Sequence, residues 1–196
     1  HVCSSDLGST LEPGSPEHLM VSLIGRYEGP AGYDDYFRGA RPAPPKKLTE
    51  MRLEEVRAWQ ATATIRGNYA PGEPVSSAAG RYQIVGSTLA RLMKVMGLDG
   101  SETFDAALQD SMALYLLVEA GWLKFKQGEV GLLEFGTAVA GVWAAFPALT
   151  GPSRGKSVYH GFNGNRAVVS LAVYQQSLEE VAKAARSEIA LLRPNH

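Results

Sequence analysis

Helical periodicity recurs along this chain in short, punctuated pieces, and it is weakest in one polar stretch between Gly32 and Ala79. Met20, Leu23, Ile24 and Tyr27 fall on one face at spacings of three and four residues, the mark of an amphipathic helix. Leu53, Val56 and Trp59 repeat the pattern briefly. Leu89, Leu92, Met93 and Met96 form another face, and Phe104, Leu108, Met112 and Tyr115 start a helix running to about Ala120. Val130 to Phe146 is apolar and rich in Ala and Gly, which predicts a tightly packed central helix stopped by Pro147. Leu171, Leu178, Val181, Ala185, Ile189 and Leu192 stripe a long C-terminal helix. Faces of this kind must be buried against one another. The expected class is α+β, mostly α, with a helical lobe and a small β or loop insert.

Local chemistry sets the boundaries. Ser15-Pro16-Glu17 places a capping residue, a proline at the first helical position and an acid in the first turn. Gly29-Pro30 ends that helix, and Gly97 closes a later one. Tyr33 to Phe37 reads as a strand or an extended loop, and Ala61 to Ala79 as a hairpin or a loop. Arg41 to Lys47, with three prolines and two lysines, reads as an exposed loop. No internal repeat or interdomain linker is visible. Residues 15–196 are expected to form one domain, and 1–14 a disordered or non-native segment.

Composition narrows the function. The chain has 196 residues, 45% hydrophobic, and a net charge of −1. Near-neutrality gives no basic field for nucleic acid or anionic membranes. No run approaches the roughly 18 apolar residues of a membrane span, and no export signal is seen. The single cysteine, Cys3, cannot form an internal disulfide, and the four histidines are scattered. No metal or organic cofactor is expected, and a monomer is.

Two stretches carry candidate chemistry. In the first, an apolar helical face runs up to Glu28 and breaks at once into a Gly- and Tyr-rich loop. A carboxylate there is either a solvated residue at a frayed end or a general acid. The negative end of the helix dipole, with Ile24 and Tyr27 alongside, favours the neutral acid. In the second, Ser76 to Gln83 (SSAAGRYQ) leads small residues and a glycine into Arg-Tyr-Gln and then a helix. Small residues admit a ligand to the backbone, and helix-start amides are donors. Tyr82 offers a sugar face or is core. Gln83 offers both donor and acceptor.

These stretches resemble the lysozyme-like superfamily, and most closely the phage lambda-type lysozymes, which are lytic transglycosylases of glycoside hydrolase family 104. Three segments match in order. They are Glu28-Gly29 followed by Gly32-Tyr33-Asp34; the run of Ser76 or Ser77 with Ala79, Gly80, Arg81, Tyr82 and Gln83; and Trp143-Ala144-Ala145-Phe146-Pro147 followed by Tyr159. Leu108-Gln109-Asp110 is a weaker echo. The resemblance spans about Leu19 to Val173. Two departures stand out: the loop from Glu28 to Tyr33 is shorter than in the lambda type, and that from Gly151 to Gly164 is longer.

The resemblance implies a lysozyme-like fold whose insert lines a glycan-binding cleft. It implies an enzyme that cuts the β-1,4 bond between N-acetylmuramic acid and N-acetylglucosamine in peptidoglycan strands. Glu28 would be the catalytic acid and base, giving 1,6-anhydro ends. Tyr33, Ser77, Tyr82, Gln83 and Tyr159 would bind substrate. Arg81 would bind the muramic lactyl carboxylate or a peptide stem, or else pair with Asp110 or Glu119 as an internal brace. Asp34 and Asp35 are the local second carboxylates, but the Asp and Thr spacing of two-carboxylate phage lysozymes is missing, and position 37 is Phe. A one-acid mechanism is therefore preferred. The place of action would be the periplasm or cell wall, as a phage endolysin, tail-associated lysin or bacterial enzyme. The alternatives are a hydrolytic lysozyme, a chitinase-like glycosidase, and a non-catalytic glycan-binding tail or secretion module.

Overall fold

The computed structural model describes residues 11–192. It is mostly helical, with seven α-helices among the described residues: α1 Pro16–Glu28, α2 Leu53–Ala63, α3 Gly86–Met96, α4 Ala106–Glu119, α5 Trp122–Gln127, α6 Leu132–Ala140 and α7 Leu171–Leu192. The expectations for Cys3 and for the first ten residues lie outside what is described. None of these helices is long and apolar enough to cross a membrane. The chain forms two compact units, one from His1–Tyr27 with Ala113–His196, the other from Glu28–Met112.

In the first unit, α1 begins as its punctuation requires. The Ser15 hydroxyl accepts the His18 amide at 3.1 Å, which satisfies one of the free donors of the first turn. Met20 and Ile24 are fully buried. Glu17 has a larger part than a first-turn acid. It is buried, and one carboxylate oxygen accepts from Trp122 Nε1 at 2.9 Å and from Lys126 Nζ at 2.7 Å. Lys126 also pairs with Glu188 on α7 at 2.6 Å. Phe125 and Phe135 stack at 4.3 Å, Phe146 stacks on Tyr174 at 4.5 Å, and Tyr27 meets Phe146 edge-on at 6.0 Å. These aromatic pairs dominate the core.

The central helix is shorter than its composition predicts. α6 stops at Ala140, and Gly141 to Pro147 is a turn that buries Trp143, Ala145 and Phe146 and in which the Trp143 amide still donates back to Val139 at 3.0 Å. Pro147 disfavours the helical state of Phe146. The small residues do serve close packing. A Cβ on Gly136 would stand 2.5 Å from Leu149 Cδ1 and 2.6 Å from Leu178 Cδ1. Tyr174 donates its hydroxyl to the Gly136 carbonyl at 2.9 Å.

In the second unit, α2 packs on α3. Leu53, Val56, Leu89 and Leu92 are fully buried between them and the Leu48–Met51 turn. The Glu55 carboxylate reaches back to the Arg52 amide at 2.8 Å, the return half of a capping box. Gly97 ends α3 with a left-handed φ of 70°. The rest of the insert is loop. Among the described residues its β structure amounts to single antiparallel bridges, Tyr36 with Ala79, Ala79 with Ile84, and Arg52 with Thr103. The prolines between 42 and 74 remove the backbone donors a ladder needs. Side chains do that work instead. Asp34 Oδ1 accepts from both the amide and the hydroxyl of Thr49 at 2.8 Å. The buried Asp35 accepts the amides of Ala31 and Tyr36 at 3.0 Å, with Arg38 at 3.2 Å.

Candidate functional site

Glu28 is the last residue of α1 and the first of the Glu28–Met112 unit. It is half-buried. Its position depends on what its neighbour touches. Gly29 is buried and lies flat on the main chain of Arg81. A Cβ at Gly29 would stand 2.5 Å from the Arg81 carbonyl oxygen and 2.7 Å from its Cα. Only glycine permits that approach. The two stretches that the sequence singled out, Glu28-Gly29 and Ala79–Gln83, are therefore packed backbone to backbone.

The Ala79–Gln83 turn is held from several sides. Gly80 has a φ of 76°, its amide donates to the Asp35 carbonyl at 2.7 Å, and a Cβ there would run into the Gln109 side chain. Gln109, fully buried on α4, is the central brace. Its Oε1 accepts the Arg81 amide at 2.9 Å, and its Nε2 donates to the carbonyls of Tyr33 at 3.0 Å and Phe104 at 2.9 Å. One side chain thus ties the Arg81 turn to the Tyr33 loop. All of its polar atoms are used, the condition under which a buried amide stabilises rather than costs.

Beside it, Asp110 Oδ1 accepts the hydroxyls of Tyr33 at 2.9 Å and of Tyr82. The two rings meet edge-on, and the Arg81 guanidinium lies 5.1 Å above the Tyr33 ring. Burial first, then the hydrogen bond to Asp110, hold both phenols above the ordinary tyrosine range. They stay neutral donors.

Gln83 is the one described non-glycine residue with a left-handed backbone, at φ 50°. Such a conformation costs about 1–2 kcal/mol. The Gln83 amide and its side-chain Nε2 both donate to the Gly80 carbonyl, at 3.1 and 2.9 Å, which closes the turn twice.

Comparison with known protein families, curated proteins and solved structures found no match.

The structure brings Glu28-Gly29, Gly80, Arg81, Tyr33 and Tyr82 into one braced cluster with Gln109 and Asp110. Tyr82 is only 1% exposed, so its ring presents no sugar-stacking face; its hydroxyl anchors Asp110 instead. Ser77 is buried and directed elsewhere, with its Oγ accepting the Gly86 amide at 2.9 Å at the start of α3. Tyr159 belongs to the other unit, where its hydroxyl donates to the Gly141 carbonyl. Gln109 was legible only as part of a weak echo. Its signal was a polar residue on the same helical face as Met112 and Ala113, where burial demands partners. Among the described residues no group of His, Cys, Asp and Glu could hold a metal ion.

Proposed function

We propose that this protein is a peptidoglycan-cleaving muramidase of the lysozyme-like fold, acting as a lytic transglycosylase through Glu28. The observation that carries the reading is the contact of Gly29 with the Arg81 backbone. It joins the helix-end acid to the AGRYQ turn, the two motifs on which the resemblance rests, in one rigid arrangement. The remaining carboxylates of that cluster support a single-acid mechanism. Asp34 holds Thr49, Asp35 holds the Ala31 and Tyr36 amides, and Asp110 holds two tyrosine hydroxyls. Each already has a structural task.

In this mechanism the Glu28 carboxyl protonates the glycosidic oxygen as the bond to C1 of the muramoyl sugar breaks. The resulting carboxylate takes the proton of the C6 hydroxyl while O6 bonds to C1. Glu28 ends protonated, and the product carries a 1,6-anhydro end. The substrate places the enzyme's action in the periplasm or cell wall.

The test is mass spectrometry of fragments released from purified sacculi. The wild type is expected to release anhydro-ended muropeptides, and Glu28→Gln to lose at least about a hundredfold of that release. Undiminished release by Glu28→Gln would overturn the assignment of the acid. Reducing ends would make the enzyme a hydrolase, and binding without release a glycan-binding module.

A further inference from the structure

One loop gathers positive charge and exposed apolar side chains. Between Glu134 and Glu179 the chain carries no carboxylate, yet it holds Arg154, Lys156 and Arg166, with His160 among them. The near-neutral balance of the whole chain conceals this local excess. All three cations are exposed, and among the described residues no ion pair engages them. Apolar side chains stand beside them. Phe162 is 73% exposed and Val168 58%, and Val158 and Tyr159 are exposed as well. These are four of the eleven exposed large apolar side chains among the described residues, all within 158–168. Scattered singly such residues are ordinary; gathered together they mark a contact surface.

The backbone holds this stretch in place. The Ala148 amide donates to the Lys156 carbonyl and the Gly155 amide to the Ala148 carbonyl, both at 2.9 Å, and the Val168 amide donates to the Ala145 carbonyl at 2.9 Å. Both ends are thus tied to residues 145–148. Between them, Ser157 is 1% exposed, and its Oγ accepts the Tyr159 amide at 3.2 Å. The Tyr159 hydroxyl donates to the Gly141 carbonyl. The Phe162 amide donates to the Tyr159 carbonyl at 3.0 Å, and the Asn165 amide to the Phe162 carbonyl at 2.9 Å. Tyr159 therefore anchors the turn that carries Phe162, and the Phe162 ring stays in water.

We infer that this loop docks on an anionic lipid surface, with Phe162 entering the headgroup region and Arg154, Lys156 and Arg166 facing the lipid phosphates. A soluble polyanion needs only the cations and would leave Phe162 and Val168 in water. A protein partner would have to supply acids and an apolar pocket in one matching shape. An anionic bilayer supplies both anywhere on its face, a negative surface potential and an apolar boundary just beneath it where aromatic side chains settle. The inference is independent of the glycan reading.

Co-sedimentation of the whole protein with phosphatidylcholine vesicles, and with vesicles of equal parts phosphatidylcholine and phosphatidylglycerol, tests this. Binding to the anionic vesicles is expected to be about a hundredfold tighter at low salt, from three cations near the leaflet, and to weaken as salt is raised. Phe162→Ser should lose about tenfold of that binding at an unchanged melting temperature, because the ring is exposed, while Phe162→Leu keeps most of it. Ile65→Ser, at an exposed position in the other unit, should bind as the wild type does. Replacing Arg154, Lys156 and Arg166 together by glutamine should remove the preference for anionic vesicles. Equal binding to both vesicle types would overturn the inference. No binding to either would also overturn it and leave the surface to a protein partner. A folded Phe162→Ser that binds as tightly as the wild type would overturn it in favour of a polyanion site.

Discussion

Replacing Gly29 by alanine adds one methyl group where the structure leaves no space for it. The new Cβ would stand 2.5 Å from the Arg81 carbonyl oxygen, 2.7 Å from its Cα and 2.8 Å from its carbonyl carbon. Ordinary contacts between such atoms are about 3.5–4 Å, so one main chain must move by roughly 1 Å. The Arg81 side cannot retreat freely. Its amide is held by Gln109 Oε1 at 2.9 Å, and the preceding Gly80 amide is held by the Asp35 carbonyl at 2.7 Å. Overpacking of this kind costs about 1–3 kcal/mol, and rigid backbone on both sides puts Gly29→Ala near the middle, about 2 kcal/mol. For a chain of this size that lowers the melting temperature by about 4–8 °C.

Activity should fall further than stability explains. The residue that moves is bonded to Glu28, and a displacement of about 1 Å at a catalytic group costs up to about a hundredfold. Gly67→Ala is the matched control. Gly67 lies in the same unit, and a Cβ there meets nothing within 4 Å. Both variants would be melted by circular dichroism and assayed on sacculi below the lower transition. If Gly29→Ala melts with Gly67→Ala, the close packing of the two motifs is refuted. If it melts lower yet cleaves as well as the control, the packing stands and its bearing on Glu28 falls.

Two further perturbations act in the other unit. Burial alone would lower the Lys126 ammonium, but its hydrogen bonds to Glu17 and Glu188 outweigh that and raise it above 10.5. A raised folded-state value means the network's stabilisation is fully present below the ordinary lysine range and is lost as pH rises through the folded value. Melting temperature should therefore fall above about pH 10, and part of that fall should vanish in Lys126→Ala. That variant should cost about 2 kcal/mol at neutral pH, less than a fully buried pair, because Trp122 still serves Glu17 and the Lys126 side chain is 19% exposed. Gly136→Ala makes a contrast with Gly29→Ala. The nearest atoms to its Cβ would be side-chain ones, Leu149 Cδ1 and Cγ at 2.5 and 3.2 Å and Leu178 Cδ1 at 2.6 Å, which shift more readily than main chain, and the helix gains about 1 kcal/mol of propensity. Its melting temperature should lie within about 2 °C of wild type; a drop as large as that of Gly29→Ala would contradict the distinction between side-chain and backbone obstacles.

Much of the architecture is local information, and the chain states it openly. Ser15-Pro16-Glu17 and Gly29-Pro30 bracket α1, Gly97 ends α3, and the Leu178, Val181 and Ala185 stripe is the buried face of α7. These follow from residue-by-residue conformational preference and a 3.6-residue period, which need no knowledge of what lies across the core. Where local signals conflict, the sequence misleads. Gly131 to Phe146 has the apolar content of one long helix, yet α6 ends at Ala140, and Pro147 disfavours the helical state of Phe146.

The candidate site divides the same way. Glu28 and the AGRYQ turn stand out in the sequence because they occur together, in the order of the motifs they resemble. Their contact does not, for it depends on residues 52 positions apart meeting through a glycine with no side chain. Tyr82 reads equally as a sugar platform or as core, and only tertiary packing, which buries it against Asp110, decides. Gln109 shows the reason most plainly. A buried amide's role is set by which carbonyls and amides surround it, and those come from distant segments that only the folded chain assembles.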